Sequence, residues 1–339
     1  REAISLGVLT GTDNTAIGQE AGNDLTSGTY NNFMGYRAGF NLTTGSYNVA
    51  YGRNTLLNSV TSNYNVAIGD SAIGLGVLTG SNNVALGQQA GYDLTSGAGN
   101  VLAGYRAGYN ATTSTYSIAI GYNAIGLGVL TGTDNTAIGR GAGTDLTSGT
   151  YNNFIGYNAG ANVTTADYTI AIGSQAIGLG VTTGDNNIAL GRFAGYDLTS
   201  GASNVFMGYA AGTNVTTGSD NTILGPSAGD ALVDGSNNII IGHDAAASAT
   251  NASNEITLGD ANITDVRIPG VGFYIDGGDV GIGQSSPSAK LDIVGDANET
   301  VLEITSTDNN AAQTFNGVLI DTNMSGSGAT GADREHFGL

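Results

Sequence analysis

The sequence predicts an all-β fold in which residues 1–262 form a repetitive β-solenoid, or β-roll, shaft. Three observations support this prediction: a glycine that closes a short apolar run recurs at a nearly constant interval, the residues around it keep fixed places, and helix signals are absent. Each interval is too short for two strands, two turns and a helix, so each of about fifteen units is one coil. The recurring glycines are Gly18, Gly35, Gly52, Gly69, Gly87, Gly104, Gly121, Gly139, Gly156, Gly173, Gly191, Gly208, Gly225, Gly242 and Gly259.

Asparagine lies four places before this glycine in twelve of the fifteen units. The three exceptions are Ser117, Thr169 and Glu255. A residue that holds the same place in every coil meets its own copy in the next one, so asparagines can form an amide ladder and glycines permit close backbone approach. The predicted structural ladders include Asn14, Asn31, Asn48 and Asn65, and Gly18, Gly35, Gly52 and Gly69.

The segment between this asparagine and the glycine is typical of a short strand, because β-branched or aliphatic residues alternate with alanine there. A second strand is expected near the alanine and leucine columns that follow the glycine. Coils spaced about 4.8 Å apart would make a rod on the order of 70 Å long. Tyr30, Tyr47 and Tyr64 lie five places before their glycines in consecutive coils, so we expect their rings to stack.

A longer period overlies the coil. The phrase G-L-G-V-(L/T)-T-G occurs at Gly74–Gly80, Gly126–Gly132 and Gly178–Gly184, and a truncated copy occupies Leu6–Gly11. Each full copy begins three coils after the one before it, and one coil of the three is a single residue longer than the other two. Tandem duplication of a three-coil block is the natural explanation.

The coil composition predicts self-association. Alanine and glycine enclose little apolar volume, and strand positions one and three before the glycine face opposite to positions two and four. Both sets are largely apolar or amide, so a lone rod would expose a long stripe, and Ile138 is expected to lie in a buried column. Packing copies around an axis would cover the stripe. We predict a homotrimer, intertwined or side by side, while other closed symmetries remain open.

After Gly259 the register breaks, and the sequence divides into further segments. Residues 263–275 are interpreted as a neck, and residues 276–339 as a β-rich C-terminal trimeric region that is expected to be incomplete. A turn and strand are expected around Pro287, and further strands over Glu299–Thr305 and Gly317–Thr322.

Composition argues against several functional classes. Nine basic residues against 28 acidic ones, with a net charge of −19, exclude nucleic-acid binding through the chain's own charge. The absence of cysteine excludes disulfides, thiolate metal sites and cysteine nucleophiles. No stretch approaches the roughly 18 apolar residues of a membrane-spanning helix, so membrane insertion is not expected.

No constellation of catalytic residues is visible, and we predict no enzyme, cofactor or metal site. The chain has two histidines and no cysteine, so it offers few residues that could form a nucleophile–base pair. His243 and His336 are interpreted as surface or packing residues. Glycan-cleaving carboxylate pairs stay open, although the repeats single out none. Asp-Asn turns such as Asp13-Asn14 suggest calcium, but turn chemistry is the preferred interpretation.

Aromatic and basic residues follow some of the recurring glycines and are candidates for surface contact. Exposed rings and guanidinium groups could stack on sugars, while structural columns or contacts between chains are the alternative. These candidate surface-contact residues are Tyr36, Arg37, Tyr105, Arg106, Tyr157 and Tyr209.

Two resemblances bear on function. The N-x-A-I-G-x-x-A coil over Leu6–Asn262 resembles the left-handed parallel β-roll of YadA-like trimeric adhesin heads, with longer coils, and this resemblance implies a trimer. The phrase V-G-I-G-Q-S-S-P-S-A-K-L-D-I at Val280–Ile293 is similar to one in bacteriophage tail-fibre and tailspike proteins, where it often precedes a self-cleaving chaperone that guides trimer assembly.

Together these observations predict a bacteriophage tail fibre protein with a YadA-like repeat region. It would be a structural part of the virion that projects a host-receptor-binding end. Its expected partners are two further copies of itself, other tail or baseplate proteins, and a host surface glycan or protein receptor. The alternatives are a bacterial trimeric autotransporter-type adhesin head at the cell surface and, third, a capsule-degrading spike.

Overall fold

The computed structural model describes residues 9–264 and two short strands beyond them. By its internal contacts the chain divides into two compact units, Arg1–Val266 and Arg267–Leu339. Residues 9–264 fold as a parallel β-solenoid, and these residues contain no helix. The predicted all-β solenoid is therefore confirmed for this part of the chain.

Fifteen three-residue strands, one in each coil, form a single parallel sheet whose order follows the chain. Val49 lies opposite Val66, and Ile170 lies opposite Ile188, so coils of both lengths pair in the same way. The strands are β1 (Thr15–Ile17), β2 (Asn32–Met34), β3 (Val49–Tyr51), β4 (Val66–Ile68), β5 (Val84–Leu86), β6 (Val101–Ala103), β7 (Ile118–Ile120), β8 (Thr136–Ile138), β9 (Asn153–Ile155), β10 (Ile170–Ile172), β11 (Ile188–Leu190), β12 (Val205–Met207), β13 (Thr222–Leu224), β14 (Ile239–Ile241) and β15 (Ile256–Leu258).

The recurring glycine ends each strand for two physical reasons. Its backbone adopts a positive φ, as at Gly52 with φ 135°, which side-chain-bearing residues rarely adopt. It also lies against its copy in the next coil, because a Cβ added to Gly52 would come within 2.7 Å of the Gly69 carbonyl oxygen. A side chain at this place would push two coils apart.

The rest of each coil consists of turns, and the predicted second strand near the alanine and leucine columns is wrong. Among the described residues outside the named strands, only one isolated bridge forms, between Val163 and Thr182. Two places after the recurring glycine, non-glycine residues such as Glu20 (φ 59°) and Arg37 (φ 56°) adopt the left-handed conformation and reverse the chain. Backbone amides in these turns still bond to the next coil, as Gly22 N–H does to Ala38 O at 2.9 Å.

The core lies inside the coil and is closed by one chain. The middle residue of most strands, the alanine three places after the glycine and the leucine beyond it are fully buried, as at Ala50, Ala38 and Leu42. Phe33 is among the largest buried side chains, and Gly39 makes room for it, since a Cβ there would lie 2.8 Å from the ring. One chain therefore closes this interior without contacts from further copies.

The two faces of each strand differ in exposure. Ala137, in the middle of β8, is fully buried, whereas its neighbour Ile138 is 37 % exposed in the single chain. The buried column predicted at Ile138 depends on packing against further copies of the chain, so it stays a prediction. Alternation along the strand places the middle residue and the preceding asparagine inside, and the first and third residues outside.

The extra residue of the longer coils is taken up at a corner. At Gly74–Gly80, the Tyr92 carbonyl accepts hydrogen bonds from the N–H groups of both Leu75 (2.9 Å) and Gly76 (3.1 Å). The next strand, β5, nevertheless pairs in register with β4. The three-coil block therefore differs from three equal coils at one corner and not in its sheet.

In the second unit, strand β16 (Val280–Ile282) pairs in parallel with β17 (Leu291–Ile293). Several predicted features lie outside the described residues. These are the neck beyond residue 264, the turn at Pro287, the strands at 299–305 and 317–322, His336, and residues 6–8 of the truncated repeat.

Candidate functional site

The asparagine column forms a hydrogen-bonded ladder inside the solenoid. Asn31 Oδ1 accepts from the backbone N–H of Asn48 at 2.9 Å and from Asn48 Nδ2 at 3.1 Å. Asn48 Nδ2 also donates to the Ser62 carbonyl oxygen at 2.9 Å. Asn65 repeats the pattern on Asn48, with distances of 3.0 and 3.2 Å. Because these side chains are fully buried, the ladder satisfies interior polar groups and is not a surface for a ligand.

The three exceptions in this column interrupt or end the ladder. Ser117 N–H still donates to Asn100 Oδ1 at 2.9 Å, but the Ser117 hydroxyl offers the next coil only a 3.3 Å contact with Asn135 N–H. Glu255 N–H donates to Asn238 Oδ1 at 2.9 Å. The hydroxyl of Ser248, and that of Thr257 more weakly, hold the pKa of the Glu255 carboxyl below its usual value.

Tyrosines stack along the outside of the coils, as expected for the first set. The ring centroids of Tyr30 and Tyr47 lie 5.0 Å apart, and those of Tyr47 and Tyr64 lie 4.8 Å apart. Further stacked pairs are Tyr92 with Tyr109 and Tyr151 with Tyr168. Stacking along the axis adds side-chain contacts to the backbone bonds between coils.

The candidate contacts near Tyr36 lie at the surface and also join coils. Arg37 Nε lies 2.6 Å from Glu20 Oε2 of the preceding coil, and its guanidinium carbon is 5.1 Å from the Tyr36 ring centre. The hydrogen bond from Arg37 to Glu20 is the main cause that raises the pKa of the arginine. Arg37 is therefore held between coils by its own neighbours.

The other candidate contacts hold equivalent places in later coils. Arg106 Nε donates to Gln89 Oε1 at 2.9 Å, and the Tyr105 ring stacks 5.2 Å from the Tyr122 ring. Tyr157 and Tyr209 are 41 % and 53 % exposed. The tyrosines and arginines form two adjacent columns on the solenoid surface, so the structure is compatible with both interpretations, surface contact and structural column.

The strand face is the side of the sheet that carries the first and third residues of β1–β15. None of these side chains is charged, although the whole chain has a net charge of −19. Val49, Val66, Val84 and Val101 on the first-residue column are partly exposed. Large apolar third residues are 37–55 % exposed at Ile17, Met34, Tyr51, Ile68, Leu86, Ile120, Ile138, Ile155, Ile172, Met207, Ile241 and Leu258.

A small notch lies beside the tyrosine column and was missed by the sequence analysis. It is a shallow depression of about 260 Å³ between coils, largely open to solvent, and it is bordered by Tyr122, Arg140, Tyr157, Asn123 and Asn158. The place after the recurring glycine varies from coil to coil, so Arg140 was not recognised as part of a site. The signal was present in the phrase Gly139-Arg140-Gly141, which lies between two coils that have tyrosine at this place.

Other kinds of site find little support in the described residues. Among them, no three His, Cys, Asp or Glu side chains are grouped so as to hold a metal ion. The part of the chain that the structure describes contains no helix long and apolar enough to span a membrane. His243 is a surface residue whose Nδ1 lies 3.1 Å from Asp244 Oδ2.

Comparison with known proteins adds no family name to this geometry. No protein-family description matches the chain, and no curated protein is significantly similar to it. The class that the structure defines is a parallel β-solenoid. The resemblances to adhesin heads and tail fibres therefore remain predictions.

Proposed function

We propose that this chain forms the shaft of a homotrimeric fibre, a structural part of a bacteriophage tail that carries a receptor-binding end. The observation that carries the proposal is the strand face, an uncharged and largely apolar surface that continues over fifteen strands. Apolar surfaces of this extent on soluble proteins mark interaction sites. A second and third copy would bury the strand face by the same contacts on each chain.

The interior of the coil supports a mechanical role. Backbone bonds join every coil to the next, and the buried asparagine ladder adds side-chain bonds between the same coils. Each repeat therefore contacts only its neighbours along one axis, as in other solenoid proteins. Such a molecule resists bending because many short bonds would have to lengthen together.

The distribution of charged residues also supports the strand face as the contact surface between chains. Acidic residues such as Glu20, Asp24 and Asp70 lie outside the strand face, in the turns. Like charge on the remaining surface keeps separate fibres apart, while the uncharged face allows chains of one fibre to meet.

The virion setting rests on the similarity of Val280–Ile293 to tail-fibre sequences. The absence of enzymatic activity stays a prediction.

The test is the mass of the assembled protein in solution, measured by sedimentation equilibrium. We expect three times the mass of the chain, with no dissociation at micromolar concentration. A stable folded monomer would overturn the proposed trimer.

A second experiment tests the location. Antibodies against residues 9–264 should label the tail appendages of intact phage particles, and labelling of bacterial surfaces instead would favour the adhesin alternative.

A further inference from the structure

The notch bordered by Tyr122, Asn123, Arg140, Tyr157 and Asn158 combines three kinds of chemical group in one small space. It presents a guanidinium group, two phenol rings and two amides around an open depression of about 260 Å³. It lies within consecutive coils of one chain, so its geometry does not depend on the proposed trimer.

Arg140 provides a positive charge without a carboxylate partner among the described residues. Arg37 pairs with Glu20 at 2.6 Å and Arg53 with Asp70 at 2.8 Å, whereas the neighbour of Arg140 is an aromatic ring. Its guanidinium carbon lies 4.4 Å from the centre of the Tyr157 ring. Stacking on the ring leaves the planar edge of the guanidinium available for a bidentate carboxylate.

Tyrosine rings lie in the coils before and after Arg140. Tyr122 is 52 % exposed and Tyr157 is 41 % exposed, so both present ring surface to solvent. Aromatic rings combine apolar contact area with a polar hydroxyl, which suits a ligand that has both C–H faces and hydroxyl groups. A sugar has this combination.

The amides supply the remaining polar groups. Asn123 Oδ1 is buried and accepts no hydrogen bond from any described residue. Asn158 lies over Gly141, where a Cβ would meet its Oδ1 atom, so the glycine makes room for the Asn158 side chain in this position. An unsatisfied acceptor in this position is suited to a hydroxyl donor once the amide side chains adjust.

We propose that the notch binds a carboxylate-bearing sugar, such as a hexuronate residue of an acidic polysaccharide. Arg140 binds the carboxylate, the two tyrosines contact the sugar C–H groups, and the asparagines bond to its hydroxyls. The net charge of −19 repels acidic ligands in general, so the attraction for the sugar carboxylate has to come from Arg140.

Binding of trigalacturonate to the full chain, measured by titration calorimetry, tests the proposal, with maltotriose as the neutral probe. We expect saturable binding of trigalacturonate and at least tenfold weaker binding of maltotriose. Arg140→Gln should weaken trigalacturonate binding by about tenfold or more, because it removes a charge-assisted bidentate pair. Glutamine is already present in this column at Gln19 and Gln88, so the backbone accommodates the change.

Arg192→Gln is the matched control. Arg192 lies in the same column, with its guanidinium carbon 4.5 Å from the Phe193 ring, and it does not border the notch. This variant loses the same charge and should bind trigalacturonate within twofold of the unchanged chain. Equal binding of both sugars, or equal losses in both variants, would overturn the proposal. Neither result would bear on the mass of the assembly, so the fibre proposal is tested separately.

Discussion

The inward and outward faces of the strands differ in a way that size and hydrophobicity alone would not suggest. The small Ala137 points into the coil and is fully buried, while the larger Ile138 points outward and is 37 % exposed. The interior is narrow, so it accepts small residues and excludes many large ones. The comparison teaches that one chain completes its own core and still places many large apolar strand residues, such as Ile138, on a surface.

The exceptions inside the coil support this interpretation. Where the inward strand residue is Phe154, a Cβ on Gly143 would lie 2.8 Å from the ring. Phe206 has a similar relation to Gly195, at 2.6 Å. Extra volume on the strand is therefore matched by missing volume on the turns, as close packing requires.

Ala137→Asp should have the largest effect, because it would place an unpaired carboxylate in the closed interior. We expect a loss of more than about 4 kcal/mol from the free energy of unfolding, spread over neighbouring coils. Urea unfolding with hydrogen exchange of the amides of β7–β9 would measure it. Retained protection of these strands would show that the inward face is not closed.

Ile138→Asp, at the next position along the strand, separates fold from assembly. The side chain is partly exposed in the single chain, so we expect the coils to fold while a charge on the strand face prevents self-association. Sedimentation equilibrium and circular dichroism, recorded on the same sample, would measure the two effects. An unchanged assembly mass would show that the strand face at β8 is not a contact surface.

Asn48→Ser should have an intermediate effect inside the coil. It removes the amide that donates to Ser62 O and accepts from Asn65, and we expect a loss of about 2 kcal/mol in the free energy of unfolding. The converse change, Ser117→Asn, extends the ladder and should stabilise the chain by about 1 kcal/mol. Thermal unfolding of both variants measures the change in stability. If both variants were stabilised, or both destabilised, the result would contradict a continuous ladder.

Asp93→Asn should have the smallest effect, and it should depend on pH. Burial raises the pKa of the Asp93 carboxyl, so the folded chain holds this proton more tightly and stability falls as the pH rises from the usual aspartate value through the raised one. The variant should be slightly more stable at neutral pH and should gain nothing at lower pH. In the same column, Asn41 Nδ2 donates to Asn58 Oδ1 at 2.8 Å, so asparagine fits. Melting temperatures measured at neutral pH and below the usual pKa of aspartate test this prediction. A gain in stability that is the same at both pH values would contradict it.

Much of the fold was predictable because stacked coils impose a strict period. Asn14, Asn31 and Asn48 keep their places relative to the recurring glycine, and this regularity alone indicated a solenoid. The inward face was not assigned, because alanine and isoleucine both count as apolar. The second strand was predicted wrongly because left-handed backbone at residues such as Arg37 leaves no signature in residue type.

The candidate site was less predictable than the fold. Tyr36, Tyr105 and Tyr157 were recognised because they repeat in equivalent coils. Arg140 interrupts the tyrosines of its column, and its lack of a carboxylate neighbour depends on which side chains the coils bring together. A specific site can form where one coil differs from the others. An alignment of repeats emphasises the residues that the coils share, so it hides such a difference.

The corner at Gly74–Gly80 has a consequence for growth of the molecule by gene duplication. Since the additional residue is absorbed there and β4 and β5 stay aligned, a copied three-coil block could be inserted without changing the cross-section. Each insertion would lengthen the solenoid by about 14 Å, the height of three strands. The length of the solenoid could thus evolve in fixed steps, and each added block would repeat the same contacts between coils.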